Sequence, residues 1–164
     1  MTRGRWTIPS VLLLTTAVCD RLTKHLAAVH LVGVPPQSYL GNMVRLEYAE
    51  NSGAFLSLGA NLPDGLRTAV LTIGVAVLLM IVAILAIKYH WGGVPLHGVA
   101  LMWAGGASNL VDRAASGHVV DFLNIGIGSL RTGIFNVADV AVMLGAILIV
   151  VGERESLRNS SSAP

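Results

Sequence analysis

The chain has 164 residues, 54% of them hydrophobic and only 12% charged, with a mean hydropathy of +0.69. An ordinary soluble domain is about 45–50% apolar even with glycine counted, so the composition excludes that class and predicts an integral membrane protein. The net charge of +2 comes without any Lys/Arg stripe interleaved with aromatics, which excludes nucleic acid as a partner; a lone cysteine, Cys19, excludes a disulfide framework and a CxxC metal or redox site.

Residues 1–18 superficially resemble a secretory or lipoprotein signal, with Arg3 and Arg5 ahead of the apolar run 11–14 and a cysteine following. The residue before Cys19 is Val18 and not a small one, and the chain continues through Asp20-Arg21-Leu22-Thr23-Lys24 into further apolar sequence. That predicts a retained first transmembrane helix over about 6–30. Asp20, Thr23 and Lys24 stand at i, i+3 and i+4 and share a face. A charge inside a span costs at least about 2.5–3.5 kcal/mol, so this face meets protein or water, an interfacial snorkelling pair being the plainer alternative.

Between residues 33 and 65 turn formers dominate: Pro35-Pro36, Gly41-Asn42, Asn51-Ser52-Gly53 and Pro63-Asp64-Gly65. The runs 43–48 and 54–58 among them have strand character and predict a small extramembrane sheet over the helices. Residues 66–87 form an apolar run long enough for a second span, closed by Lys88 and the interfacial aromatics Tyr89 and Trp91. A third span is predicted over 96–112, where the small residues 104–108 read as a packing face. Residues 114–134 are a second outer segment, 135–151 a fourth span, and the Ser-rich end of the chain a disordered tail. There is no internal repeat, and 1–164 reads as a single domain. The fold class expected is an all-α polytopic membrane protein, four transmembrane helices with a small extramembrane β-sheet on the outer face. Four spans leave both termini on one side. Arg3, Arg5, Lys88, Arg154 and Arg158, set against Arg45, Arg113 and Arg131 in the other loops, make that side the cytoplasm.

The polar residues crowd the other surface. From 105 to 139 the chain carries Asp112, Asp121 and Asp139, three asparagines (109, 124 and 136) and the arginines 113 and 131. Asn109, Asp112 and Arg113 share a helical face, and Asn136 and Asp139 repeat the i, i+3 relation at the head of the last span. Carboxylates gathered at the edge of apolar helices suggest acid/base chemistry, a buried structural network being the alternative. An ion path in a small membrane transporter would spread polar residues through the membrane depth, whereas here they lie at one surface and span 2 is clean. A membrane phosphotransferase would want several Asp on one metal-binding helix. His118 near the cluster has no Ser or Cys with a motif beside it, and no HExxH or paired histidine offers a metal site, so neither a metal nor another cofactor is expected.

The motifs DRLTK at 20–24, NSGAF at 51–55, NLVDR at 109–113, VVDF at 119–122 and FNVAD at 135–139 occur in the order, and over the length, found in the lipoprotein signal peptidases (signal peptidase II), which the chain resembles. The resemblance implies an aspartic endopeptidase of the bacterial cytoplasmic membrane that removes the signal peptide of prolipoproteins by cutting before a diacylglyceryl-modified cysteine. It also implies that Asp121 and Asp139 are the catalytic pair, and that Asp20, Lys24, Asn51, Asn109, Arg113 and Asn136 line or brace the site. A monomer in contact with membrane lipid is expected, with the site near the outer surface. Three departures from the family pattern bear on substrate fit and loop shape: Ser108 where Gly is usual, Phe55 one residue early, and Gly133-Ile134 in place of Trp-Pro. Asp121 lies on an extended outer segment and Asp139 in the first turn of the last helix, so the two can approach from different elements. Asp112 is the competitor, expected instead to partner Arg113 and the asparagines, since an Asp held ionised by Arg is a poor proton donor.

Overall fold

The computed structural model describes residues 3–52 and 63–161. A short 3-10 turn, Arg3–Trp6, leads into α1 (Thr7–His30), followed by β1 (Gln37–Tyr39), β2 (Val44–Asn51), α2 (Asp64–Lys88), α3 (Gly93–Ser116), β3 (Val119–Ile127), β4 (Leu130–Arg131) and α4 (Val137–Ser161). The strand-like run 54–58 and Phe55 lie outside the described residues.

The all-α expectation is corrected by the sheet, four antiparallel strands in the order β1-β2-β3-β4. It is no appendage: β3 alone has nine residues and carries Asp121. Its sequence VVDFLNIGI combines β-branched and aromatic residues that fit a pleated surface, and its first half is buried on both faces, with Val119, Asp121 and Phe122 all shielded. The anchor is apolar. Phe122 packs with Ala27 and Leu31 at the C-terminal end of α1, and Leu46, Tyr48, Val120, Leu123 and Val137 close over them. On the side of β3 away from β2, Phe135 exchanges backbone hydrogen bonds with Leu123, at 2.8 and 2.9 Å. The entry to α4 is thereby tied to the strand that carries Asp121.

Two helix boundaries also move. α3 runs one turn beyond the expected 112 and stops where Gly117 adopts φ +78° and returns its N–H to the Arg113 carbonyl at 3.0 Å, a left-handed cap that glycine adopts without a Cβ penalty. α4 continues to Ser161, so residues 159–161 are helical where a disordered tail is expected: Glu, Arg and Leu at 153–158 are good helix formers and carry the helix on.

α3 is the hub, packing on α1, α2 and α4. It meets α4 backbone to backbone. A Cβ at Gly98 would stand 2.6 Å from the Gly145 carbonyl oxygen, a Cβ at Gly145 would stand 2.6 Å from that of Gly98, and Gly105 faces the Ala138 backbone. Small residues at such a crossing let helices approach closely without an opposing hydrophobic drive, and Gly105 and Gly106 serve packing as expected. Trp103 adds an indole N–H bond of 3.0 Å to the Leu79 carbonyl of α2.

Among the described residues no helix is long and apolar enough to cross a membrane. α2 has no charged residue between 70 and 87, and its 25 residues extend about 37 Å at 1.5 Å each.

The α3–α4 crossing gives a direct test. Gly98→Ala forces a methyl group against fixed backbone and should cost about 1–3 kcal/mol, lowering the unfolding temperature in detergent. Gly74→Ala on α2, where nothing lies within 4 Å, should leave it unchanged or slightly raised. Equal behaviour of the two variants would contradict the packing described.

Candidate active site

The site forms where the C-terminal ends of α1 and α3 meet the sheet and the first turn of α4. The first turn of α4 is closed by Asn136 and Asp139. The Asn136 side-chain oxygen accepts from the Asp139 backbone N–H at 2.9 Å, and the Asp139 carboxylate accepts from the Asn136 backbone N–H at 3.1 Å. This reciprocal cap satisfies N–H groups that a helix start would otherwise leave open.

The Asn136 amide, fully buried, also reaches across to β3, donating to Asp121 Oδ1 at 2.6 Å. Asn51, the last residue of β2, donates to Asp121 Oδ2 at 2.8 Å. Asn109 on α3 donates to Asp139 Oδ1 at 2.9 Å. Asp121 and Asp139 are thus both held by neutral amides, share Asn136 as a common neighbour, and have no ion pair among the described residues. The Asp121 carboxyl is pushed up to about 6: burial is the main cause, the Asn51 hydrogen bond opposes it, and the charge of Asp139 adds to it.

The other two carboxylates have different surroundings. Asp20, fully buried on α1, accepts from the Ala138 backbone N–H of α4 at 2.8 Å and from the Ser108 hydroxyl of α3 at 2.6 Å, and lies 2.7 Å from Lys24 Nζ. A carboxylate on the open N–H groups of a helix N-terminus also meets the positive end of the helix dipole. Lys24 Nζ completes the junction by donating to Asn109 Oδ1 at 2.8 Å and Asp112 Oδ2 at 2.7 Å. The other Asp112 oxygen is held by Arg21.

The structure brings Asp20, Lys24, Asn51, Asn109, Asp112, Asp121, Asn136 and Asp139 into one hydrogen-bonded network. The expected pairing of Asp112 with Arg113 is corrected: the partners of Asp112 are Arg21 and Lys24, because α1 packs on this face of α3. Arg113 stands close enough to feel the charges of Asp139, Asp121 and Asp112, and its buried Nε has no hydrogen-bond partner among the described residues. Two participants escape the sequence reading. Arg21 sits inside the DRLTK motif, where Asp20 and Lys24 drew attention. Ser108 reads as a packing residue and a family departure, yet its hydroxyl supplies Asp20 with a donor that a glycine there would not. Among the described residues, no group of three or more His, Cys, Asp or Glu side chains is disposed to hold a metal ion.

Among the described residues Asp20 makes no hydrogen bond to Asp121 or Asp139, and it holds the N-terminus of the helix that carries Asp139. Asp20→Asn replaces an acceptor by a donor in front of Ala138 N–H or Ser108 and weakens the hold on Lys24, a loss of about 3–5 kcal/mol for a broken buried pair. The expected outcome is a much lower inactivation temperature with turnover still measurable in saturating substrate at low temperature. Complete loss of turnover in a folded variant would contradict it.

The sequence comparisons bear on the same residues. A family model described as Signal peptidase (SPase) II matches residues 12–153, a span that takes in the whole network. The lipoprotein signal peptidase of Moorella thermoacetica is 33% identical over 141 residues, covering 85% of this chain and 87% of that protein. That of Burkholderia cenocepacia is 32% identical over 143 residues, covering 86% and 84%. In fold, the chain is similar to a solved structure described as a bacterial membrane enzyme, with a TM-score of 0.77 at 21% identity over 95% of this chain and 93% of that one. With the family profile spanning the site and the relatives aligned over most of their length, the chain belongs to the signal peptidase II family.

Proposed function

We propose that this protein cleaves lipoprotein signal peptides just before a diacylglyceryl-modified cysteine, with Asp121 and Asp139 as its catalytic pair. Membership of the signal peptidase II family carries the activity, an aspartic-type hydrolysis of the peptide bond. One observation carries the residue assignment. Of the four acidic residues in the network, Asp20 and Asp112 are each salt-bridged to a cation, whereas Asp121 and Asp139 are held by amide donors alone. A carboxylate locked to Lys or Arg stays ionised and gives no proton; two neighbouring carboxylates in a shielded site, neither of them ion-paired, can share one.

In this reading the ionised member takes a proton from a water as its oxygen attacks the scissile carbonyl carbon, while the protonated member donates to the carbonyl oxygen. The tetrahedral intermediate then collapses. The C–N bond breaks, the first carboxyl passes its proton to the departing amine, and the second recovers its own from the intermediate. The released signal peptide ends in a carboxylate and the lipoprotein begins with the free amine of its modified cysteine. Asn51, Asn109 and Asn136 orient the pair, and Asp20, Lys24 and Asp112 fix the helices beneath it. Arg113, close enough to feel the charges of Asp121 and Asp139, supplies positive charge beside the single negative charge that the pair carries through the reaction.

Chemistry on a lipid-modified substrate belongs at a bilayer surface. Apolar side chains turned outward on α1 (Val11, Leu14, Val18, Leu22), α2 (Ile73, Val77, Ile84) and α4 (Met143, Ile147, Val150) suit lipid as solvent and support four membrane-crossing helices. We place the termini in the cytoplasm and the sheet with its site at the outer surface, as a single membrane-embedded domain and a monomer, on the bias of Arg3, Arg5, Lys88, Arg154 and Arg158.

Two measurements check this reading. Purified protein should cleave a diacylglyceryl-modified prolipoprotein and leave its unlipidated precursor intact; equal cleavage of both, or of neither, would contradict the substrate assignment. In a background lacking Cys19, an impermeant thiol reagent applied outside should label a cysteine at Ser38 and not one at Ser160. Labelling of both from one side would contradict the topology.

A further inference from the structure

The end of the β2–β3 ladder carries two diagonal contacts, one on each face. Asn51 lies opposite Val119 and Glu50 opposite Val120. Side chains alternate across a strand, so Asn51 and Asp121 share the inner face, where the 2.8 Å hydrogen bond joins them. Glu50 faces the other way, as does His118, the residue before β3. On that face, shared with Val120 and Phe122, Glu50 Oε1 lies 3.7 Å from His118 Nε2 at the solvent-facing end and accepts the Tyr48 hydroxyl at 3.0 Å.

Two features give the Glu50–His118 contact leverage. The pairing of β2 with β3 shifts register between Leu46 and Ala49, and an irregularity of this kind locally disrupts the ladder, so residues 49–51, paired with 119–121, form a stretch set off from the rest of β2. His118, for its part, is tied to the end of α3: the Ser116 hydroxyl bonds both the Asp112 carbonyl at 2.8 Å and the His118 carbonyl at 3.1 Å. The Glu50–His118 contact therefore pins the end of β2 to the same helix end that presents Asp112 and Arg113.

We infer that Glu50 and His118 are positioning residues: their contact on the face of the sheet opposite Asp121 fixes the end of β2 so that Asn51 keeps its hydrogen bond to Asp121. Neither side chain is on the Asp121 face, so the effect is on turnover and not on substrate binding. The inference rests on Asp121 being one of the catalytic pair. An exposed pair of this kind has a small energetic reach, which limits the expected change to about two- to fivefold in rate.

The test is a double-mutant cycle on cleavage of a diacylglyceryl-modified prolipoprotein, with kcat and KM measured separately for Glu50→Ala, His118→Ala and the double variant, and Asp121→Asn assayed alongside. Each single variant should lower kcat about two- to fivefold with KM unchanged, and the double variant should be no slower than the slower single, because both act through one contact. Wild-type kcat in the singles, losses that multiply in the double, or a change confined to KM would overturn the inference. If Asp121→Asn is inactive while the Glu50 and His118 variants behave as wild type, this inference alone fails; near-normal turnover of Asp121→Asn would remove the assignment of the pair on which it rests.

Discussion

The N-terminus of α4 is held by a buried carboxylate from another helix, and the site depends on that hold. Asp20 accepts the Ala138 N–H, binds the Ser108 hydroxyl and lies against Lys24, so α1, α3 and α4 meet at one ionised group with no exposure to solvent. Removing such a group from water costs several kcal/mol, recovered only where donors surround it closely. Here a backbone N–H, a hydroxyl and an ammonium do so. The helix start fixed in this way carries Asn136 and Asp139, and Asn136 in turn reaches Asp121 on β3. One buried charge thus sets the distance between the helix bundle and the sheet.

Four aspartates built into one network come to different ends through their neighbours. Asp20 and Asp112 are neutralised by cations and hold helices together. Asp121 and Asp139 receive amide hydrogen bonds, which orient a carboxylate without fixing its charge as firmly as Lys or Arg would. A polar network of this density is sound only when its members are satisfied, and the atom left open beside it is the Nε of Arg113, next to the pair and not within the structural half.

Much of this was legible in the sequence. The four apolar runs mark the four helices because each is long and mostly apolar, 70–87 without a single charge, and Asn136 with Asp139 announces the start of α4 through its i, i+3 spacing. Asp112 was misread toward Arg113: sequence shows which residues are neighbours on a helix, but its partners come from α1, some ninety positions earlier. The size of the sheet was understated because β1 and β4 are three and two residues long, too short for any alternation to register. Glu50 and His118 carry no motif, and their relation exists only through the strand register.

The separation of the aspartates into a structural and a catalytic pair is tested most directly by kcat for Asp121→Asn, Asp139→Asn and Asp112→Asn in folded protein, with substrate affinity measured on each. The account predicts that Asp121→Asn and Asp139→Asn each lose roughly 10²–10⁴-fold or more while still binding substrate, and that Asp112→Asn keeps measurable turnover in a less stable protein. Near-normal turnover in Asp121→Asn, with Asp112→Asn stable and inactive, would contradict it and move the pair to Asp112 and Asp139.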